Sequence, residues 1–499
     1  MPRLGPVTRP LAWVAGALLS GLTWGLPARA EESWDAVYIA QKKVGHIHVK
    51  VEPVKDGAGR SLLRVVIHQE LNFKRDKDQV ALRQDYGTIE TLQGSILRLD
   101  TRTYASQGGE LRTFGDVIDG KMHLTLEKGG TRSQQVIPWG DDIRGPYGAE
   151  LSLSRQPMKP YESRDVRTYI PDLNQVCITK LQARGIEPVE LGQNTRRNLL
   201  RVEQTVTDAN DKPIPGMKST LWVDEGGQII KSLTDLLGGM LTYRTTREAA
   251  LTPDGDFNLL AASILKIAHR IPDPEKKREI RYRVTLANED PTKVLPSDAR
   301  QAVRRDKAPH AAILTVKTSA AHSGPLGPAA VGDEFLRPNP LIDSEDSRIR
   351  ELARQAAGSR TDPWQKAVAI MQWVADNLKN KNFSVGFAPA SEVARDLAGD
   401  CSEHSVLTAA MCRAEGIPAR CVVGLVYGEQ LGGFGPHMWN EVYINRRWVP
   451  LDAAFRQSEV DATHIKLAET SLDGVAPFEA FLPVLRVFDK MKIEAIEVR

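Results

Sequence analysis

Cys401, His437 and Asp452 are residue types that can do chemistry together. A cysteine thiol becomes a nucleophile when a base takes its proton and a third group holds that base in place. Cys401 follows a Gly399-Asp400 turn and opens a helical run, "AGDCSEHSVLTAAMCRAEG". At a helix N-terminus the unpaired N–H groups and the dipole favour a thiolate, and they can also hold an oxyanion. His437 is the best base, on grounds of strand register. If two strands turn through Asn445-Arg446, Ile444 faces Arg447, Trp439 faces Asp452 and His437 faces Ala454. His437, Trp439, Glu441 and Asp452 then share a face, with Asp452 diagonal to His437. A three-residue turn would send Asp452 to the opposite face.

Elements must position these groups. A helix is expected over 401–414, stopped by Gly416 with Pro418 beyond. A buried strand follows at 420–427, then a glycine loop at 432–435, then strands 437–444 and 448–452. The glycine loop reads as a plain connection or as a wall beside the substrate. Helices are expected at 344–357, 363–378 and 391–397. Asp362-Pro363 caps the second, and Trp364, Val368, Met371, Ala375 and Leu378 recur at core-facing spacing. Upstream, 34–250 alternates apolar and polar residues between glycine turns, which predicts a large curved antiparallel sheet or open barrel, with a helix near 173–183. The expected order is a signal segment at 1–30, a β-rich domain at 31–250, a smaller β-leaning segment at 251–318, a Gly/Pro linker at 319–340, a catalytic domain at 341–475 and an extension at 476–499. The fold class is α+β.

Two stretches, "GDCSEHSVLTAAMCRAEGIPARCVVGLVYG" and "HMWNEVYINRRWVPLDAAF", resemble the transglutaminase-like superfamily of Cys-His-Asp enzymes over about residues 340–460. The resemblance implies a papain-like core, with a cysteine-bearing helix packed on an antiparallel sheet that carries His and Asp. It implies Cys401 as nucleophile, His437 as general base and acid, and Asp452 as orienting acid. It also implies acyl transfer from peptide or protein amides through a thioester, with water or an amine as acceptor and no cofactor. The family's hairpin turn often carries glycine, and this chain has Asn-Arg-Arg there. A scaffold or binding protein that keeps the fold without turnover is the alternative, favoured by the size of the β-rich region.

The remaining readings limit the partners. With 41% hydrophobic and 26% charged residues in 499, the chain reads as folded throughout, in about three domains. Residues 1–30 carry Arg3 and Arg9, an apolar run and Ala28-Arg29-Ala30, the pattern of a secretory signal. Their three arginines account for the formal +3, so the rest is neutral and makes no electrostatic case for nucleic acid. The expected setting is periplasmic or secreted, without a stable membrane anchor after cleavage and with protein or peptide substrates, those of the cell envelope included.

Four cysteines in 499 residues are no disulfide scaffold. Cys177 and Cys412 read as buried, and a Cys412–Cys421 bridge is an open alternative. Zinc on Cys401, His404, Cys412, Cys421 and His437 lacks the spacing of a ligand pair, so no metal is expected. Glu403 reads as holding the helix start or lining the site, and His404 as a supporting residue. Trp439 reads as core or as flanking the nucleophile, and Glu441 as a structural acceptor. His46, His48 and His68 could face one another across a strand pair, and read as solvated strand residues.

Overall fold

The computed structural model describes residues 31–499 apart from 76, 106–109, 129–130, 192–194, 237, 254–256, 288, 319–325, 380–387, 474–476 and 489. The expected signal segment lies outside the described residues.

Fourteen antiparallel strands form one sheet, with the first strand, Glu31–Ile39, in its interior. On one side it pairs with Lys42–Lys55, and the strands continue outward in chain order to Thr131–Pro138. On the other it pairs with Met240–Thr245, and the strands run back in reverse order to Ser163–Ile170. Arg144 joins the two arms by bridging Ser95 and Thr168. Ile96, Leu99, Met122 and Leu124 from one arm then bury against Tyr169 of the other, each such side chain contributing about 1.5–3 kcal/mol. The helix expected at 173–183 is instead a 3-10 turn at Pro171–Leu173 followed by a strand, Gln175–Glu190. Cys177, Thr179, Leu181 and Ala183 are buried at every second position, and that period of two belongs to a strand paired on both edges.

The remainder of the chain has its own core. Helices Ser347–Ala357, Pro363–Asn377, Ala390–Asp396 and Cys401–Ala414 pack together beside a five-stranded sheet. Asp362 caps the second helix by accepting the Gln365 N–H at 2.9 Å. In the sheet, Gly433–Ile444 lies between Ala419–Gly428 and Leu265–Lys266; His464–Thr470 adds to Ala419–Gly428, and Arg447–Leu451 to Gly433–Ile444. The glycine loop expected at 432–435 is thus mostly strand, because Gly433 and Phe434 find partners on both sides. Strands Glu279–Leu286, Gln301–Arg305 and Ala311–Lys317 form a third sheet with Met491–Val498. Its Ile280, Tyr282, Val284 and Leu314 belong to the same hydrophobic core as the helices. Residues 251–318 and 476–499, distant in sequence, therefore meet at one sheet. Past 325, the stretch read as linker is tied to the hairpin, where the Gly327 N–H donates to the Arg446 carbonyl at 2.6 Å.

The β-rich region is fastened to this core at several places among the described residues. The strand Ser61–Arg75 ends beside residues 257–258, where the Lys74 N–H donates to the Phe257 carbonyl at 2.7 Å. A few residues later the same connection adds Leu265 to the edge of the His437 strand. The helix Pro477–Val487 buries Leu482 against Leu173, Cys177 and Val206 of the large sheet.

Candidate active site

The start of the nucleophile helix is fixed by a capping box. Asp400 Oδ1 accepts the Ser402 N–H at 2.9 Å, and Glu403 Oε2 accepts the Asp400 N–H at 2.9 Å. Glu403 Oε1 also takes the Ala388 N–H, at 3.1 Å. Gly399 makes this closure possible. Its φ is +146°, and a Cβ there would stand 2.3 Å from that of Glu403. Burial and the Asp400 charge push the Glu403 carboxyl up to about 8. His404 is buried one turn above Asp400 and donates from Nδ1 to the Asp400 carbonyl at 2.7 Å. Burial pulls its imidazole below the ordinary value.

Cys401 keeps a partly exposed surface, but its sulfur is enclosed. Burial pushes the thiol well above its ordinary value and the neighbouring Asp400 charge adds to this; the Met438 N–H, donating to the sulfur, and the Arg75 guanidinium pull the other way. The helix N-terminus was expected to favour a thiolate. Enclosure and the Asp400 charge act against that end effect.

The hairpin that carries His437 has the expected register. Ile444 pairs with Arg447 and Asn440 with Leu451. The two-residue turn has φ +49° at Asn445 and +62° at Arg446, a type I′ geometry that matches the strand twist without glycine. The Arg446 guanidinium donates to the Gly327 carbonyl at 2.9 Å, which helps hold that backbone. Beyond Leu451 the chain leaves the ladder at Asp452, which exchanges backbone hydrogen bonds with Gln457. His437 Nε2 lies 2.6 Å from Asp452 Oδ2. Trp439 is fully buried and stacks against His437 with ring centroids 6.0 Å apart. It fits because Gly424, opposite His437, has no side chain; a Cβ there would come within 2.7 Å of the indole. Phe455, 47% exposed, meets the His437 ring edge-on at 4.9 Å.

Sequence reasoning did not single out His464. Its Nε2 lies 3.0 Å from the same Oδ2 of Asp452, and its Nδ1 lies 3.1 Å from Asp461 Oδ1. An imidazole with a carboxylate on each nitrogen carries both protons. Burial opposes that charge, but the hydrogen bonds to Asp452 and Asp461 raise its pKa. Burial likewise opposes the Asp452 charge, and His437 and His464 hold that carboxyl far below the usual range. The donor atoms of His437, Asp452 and His464 lie within 4.8 Å of one another, a spacing the hydrogen bonds already explain.

Glu441 is placed apart from the reacting groups. It pairs with Arg420 and with Lys466, each at 2.7 Å, as a structural acceptor would. Cys177, Cys412 and Cys421 are buried and free in the structure. His48 pairs with His68 across two strands, and His68 Nδ1 lies 2.5 Å from Asp85. Arg75 and Lys128, of the large sheet, were also not singled out. Arg75 Nη2 lies 2.6 Å from Asp400 Oδ2. Lys128 is 4% exposed, its electrostatic partners are Glu392 and Glu403, and burial pulls its ammonium down to about 8.

Comparisons with known proteins bear on this region. An uncharacterised protein of Haemophilus influenzae is 27% identical over 161 residues, which cover 27% of this chain and 42% of that relative. Among solved structures, a candidate cysteine protease from Cytophaga hutchinsonii aligns with 43% of this chain and 83% of its own, at 17% identity and a TM-score of 0.29. A β-barrel-like protein of unknown function from Brucella abortus aligns with 43% of this chain and 95% of its own, at 13% identity and a TM-score of 0.29. Residues 350–453 match the family model of the transglutaminase-like superfamily. That span includes Cys401, His437 and Asp452, so the chain carries a transglutaminase-like domain behind a large antiparallel β-rich region.

Proposed function

We propose that the chain is a cysteine hydrolase or acyltransferase acting on peptide or protein amides through a thioester. The observation that carries this reading is the 2.6 Å contact of His437 Nε2 with buried Asp452, on the strand whose next residue, Met438, donates its N–H to the Cys401 sulfur. His437 Nδ1 takes the thiol proton as the sulfur attacks the carbonyl carbon. The carbonyl pair moves to oxygen, where the Cys401 backbone N–H at the helix start is a donor. When the intermediate collapses the C–N bond breaks, and the proton passes from His437 to the leaving amine. Water or a second amine then attacks the thioester, and the thiol regains its proton. Phe455 offers an apolar surface beside His437 for a substrate side chain. No step calls on a cofactor. The composition of residues 1–30 supports a periplasmic or secreted location, and cell fractionation tests it.

One observation favours a second reading, a binding protein without turnover: burial and Asp400 both push the Cys401 thiol above its ordinary value. Incubating wild type and Cys401→Ala with a mixed peptide library and a labelled amine separates the two. Cleaved, deamidated or amine-tagged peptides formed by wild type alone support the enzyme. Peptides left unchanged by both, or changed equally by both, contradict it.

A further inference from the structure

The β-rich region reaches the nucleophile. Strand Ser61–Arg75 ends at Arg75, whose guanidinium lies 2.6 Å from the Asp400 carboxylate. The Asp400 side chain is 2% exposed, and that of Arg75 is 29% exposed. Lys128, buried at the end of strand Lys121–Lys128, has Glu403 among its electrostatic partners. Arg75 thus meets the acid that precedes Cys401, and Lys128 of the same region feels the charge of Glu403. The approach is built into the fold, since the Lys74–Phe257 hydrogen bond and the Leu265–Phe434 pairing link this strand to the His437 strand.

Electrostatics give the contact a consequence. A carboxylate beside a thiol resists formation of the thiolate, and its effect grows as water is excluded. Asp400 cannot be dispensed with, because it caps the helix that carries Cys401. A guanidinium on its outer oxygen opposes its field at the sulfur while leaving the cap intact. The charged groups that act on the thiol are Asp400, which caps its helix, Glu403 within that helix, and Arg75 from the large sheet; His404, one turn on, feels Asp400, Asp452 and His437, and Lys128 faces Glu392 and Glu403.

We infer that the β-rich region is part of the active site, and that Arg75 is a positioning residue which neutralises Asp400 and so permits Cys401 to be deprotonated. This rests on the reading of Cys401 as nucleophile, but not on turnover. The other three cysteines are buried, so the rate of iodoacetamide alkylation reports on Cys401, with Cys401→Ser as the control.

The experiment records that rate against pH for the full chain as wild type, Arg75→Gln and Arg75→Lys, with circular dichroism to confirm folding. Arg75→Gln should move the midpoint up by about one pH unit, a roughly tenfold slower reaction below it. Arg75→Lys should recover most of the shift, because the charge returns. In an Asp400→Asn background, which keeps a helix cap, Arg75→Gln should have little further effect. A folded Arg75→Gln protein with the wild-type profile overturns the inference, as does a shift that neither Arg75→Lys nor the Asp400→Asn background abolishes. If Arg75→Gln fails to fold, the Arg75→Lys profile decides: a large displacement contradicts the charge argument, and near-wild-type behaviour upholds it. A shifted profile in a chain that turns over no peptide retains this inference and defeats the hydrolase reading.

Discussion

His437 and His464 both hydrogen-bond a single oxygen, Oδ2, of Asp452, at 2.6 and 3.0 Å. Asp452 is thus held by two histidines, and Asp461 holds the second of them in turn. Asp452 and His464 are fully buried. His464→Ala would leave two carboxylates facing a cavity, and breaking a buried ion pair in this way costs about 3–5 kcal/mol. Urea unfolding should show a loss of that size.

The same network sets a window in pH. Asp452 and Asp461 are depressed in the folded chain, the latter to about 2. Their stabilisation is present above the unfolded carboxylate value and is lost as pH falls toward the folded values. His464 is raised, so its contribution is complete below the unfolded histidine value and is lost as pH rises through the folded one. Unfolding free energy should therefore fall below about pH 4 and again on the alkaline side of neutrality. His464→Ala should flatten the alkaline decline and weaken the acid one as well, because His464 helps to lower both Asp452 and Asp461.

For the base, His437→Ala should slow Cys401 alkylation near neutral pH and reduce turnover by about 10²–10⁴-fold, the usual scale of general base catalysis. Asp452→Asn keeps the shape but removes the charge that fixes the His437 ring. Its kcat should fall while KM changes little, because Asp452 is buried behind the base. A KM effect with kcat intact would place Asp452 in substrate binding instead.

Gly424 controls the site from behind. A methyl group there would stand 2.2 Å from the Ile465 carbonyl oxygen and 2.7 Å from the Trp439 indole. Gly424→Ala should cost about 1–3 kcal/mol through overpacking and displace the ring stacked on His437. Loss of activity per folded molecule, measured with folding confirmed by near-ultraviolet circular dichroism, is the expected outcome. Full activity would show that Trp439 does not position the base.

What the sequence reveals follows from the range of each interaction. The helix at Cys401–Ala414 and the pairing that puts Asp452 beside His437 are local, governed by a cap, a two-residue turn and the strand period of two. The strand Gln175–Glu190 is harder to read, because its buried alternation is mixed with residues that also suit a helix. His464 reaches Asp452 from a strand on the far side of Ala419–Gly428, and no spacing marks it. Arg75 meets Asp400 across 325 positions of chain. That contact depends on how two regions dock, which local patterning does not encode. The upward push on the Cys401 thiol is hidden for the same reason, since enclosure comes from the assembled core.

The central claim, that Cys401 carries an acyl group, is tested most directly by acid-quenched peptide mapping of the full chain after mixing with a peptide library. The account predicts a mass adduct on the peptide containing Cys401 in wild type, longer-lived in His437→Ala if any forms, and none in Cys401→Ala. Peptide turnover that persists undiminished in Cys401→Ala, or no adduct and no turnover in wild type, would contradict it.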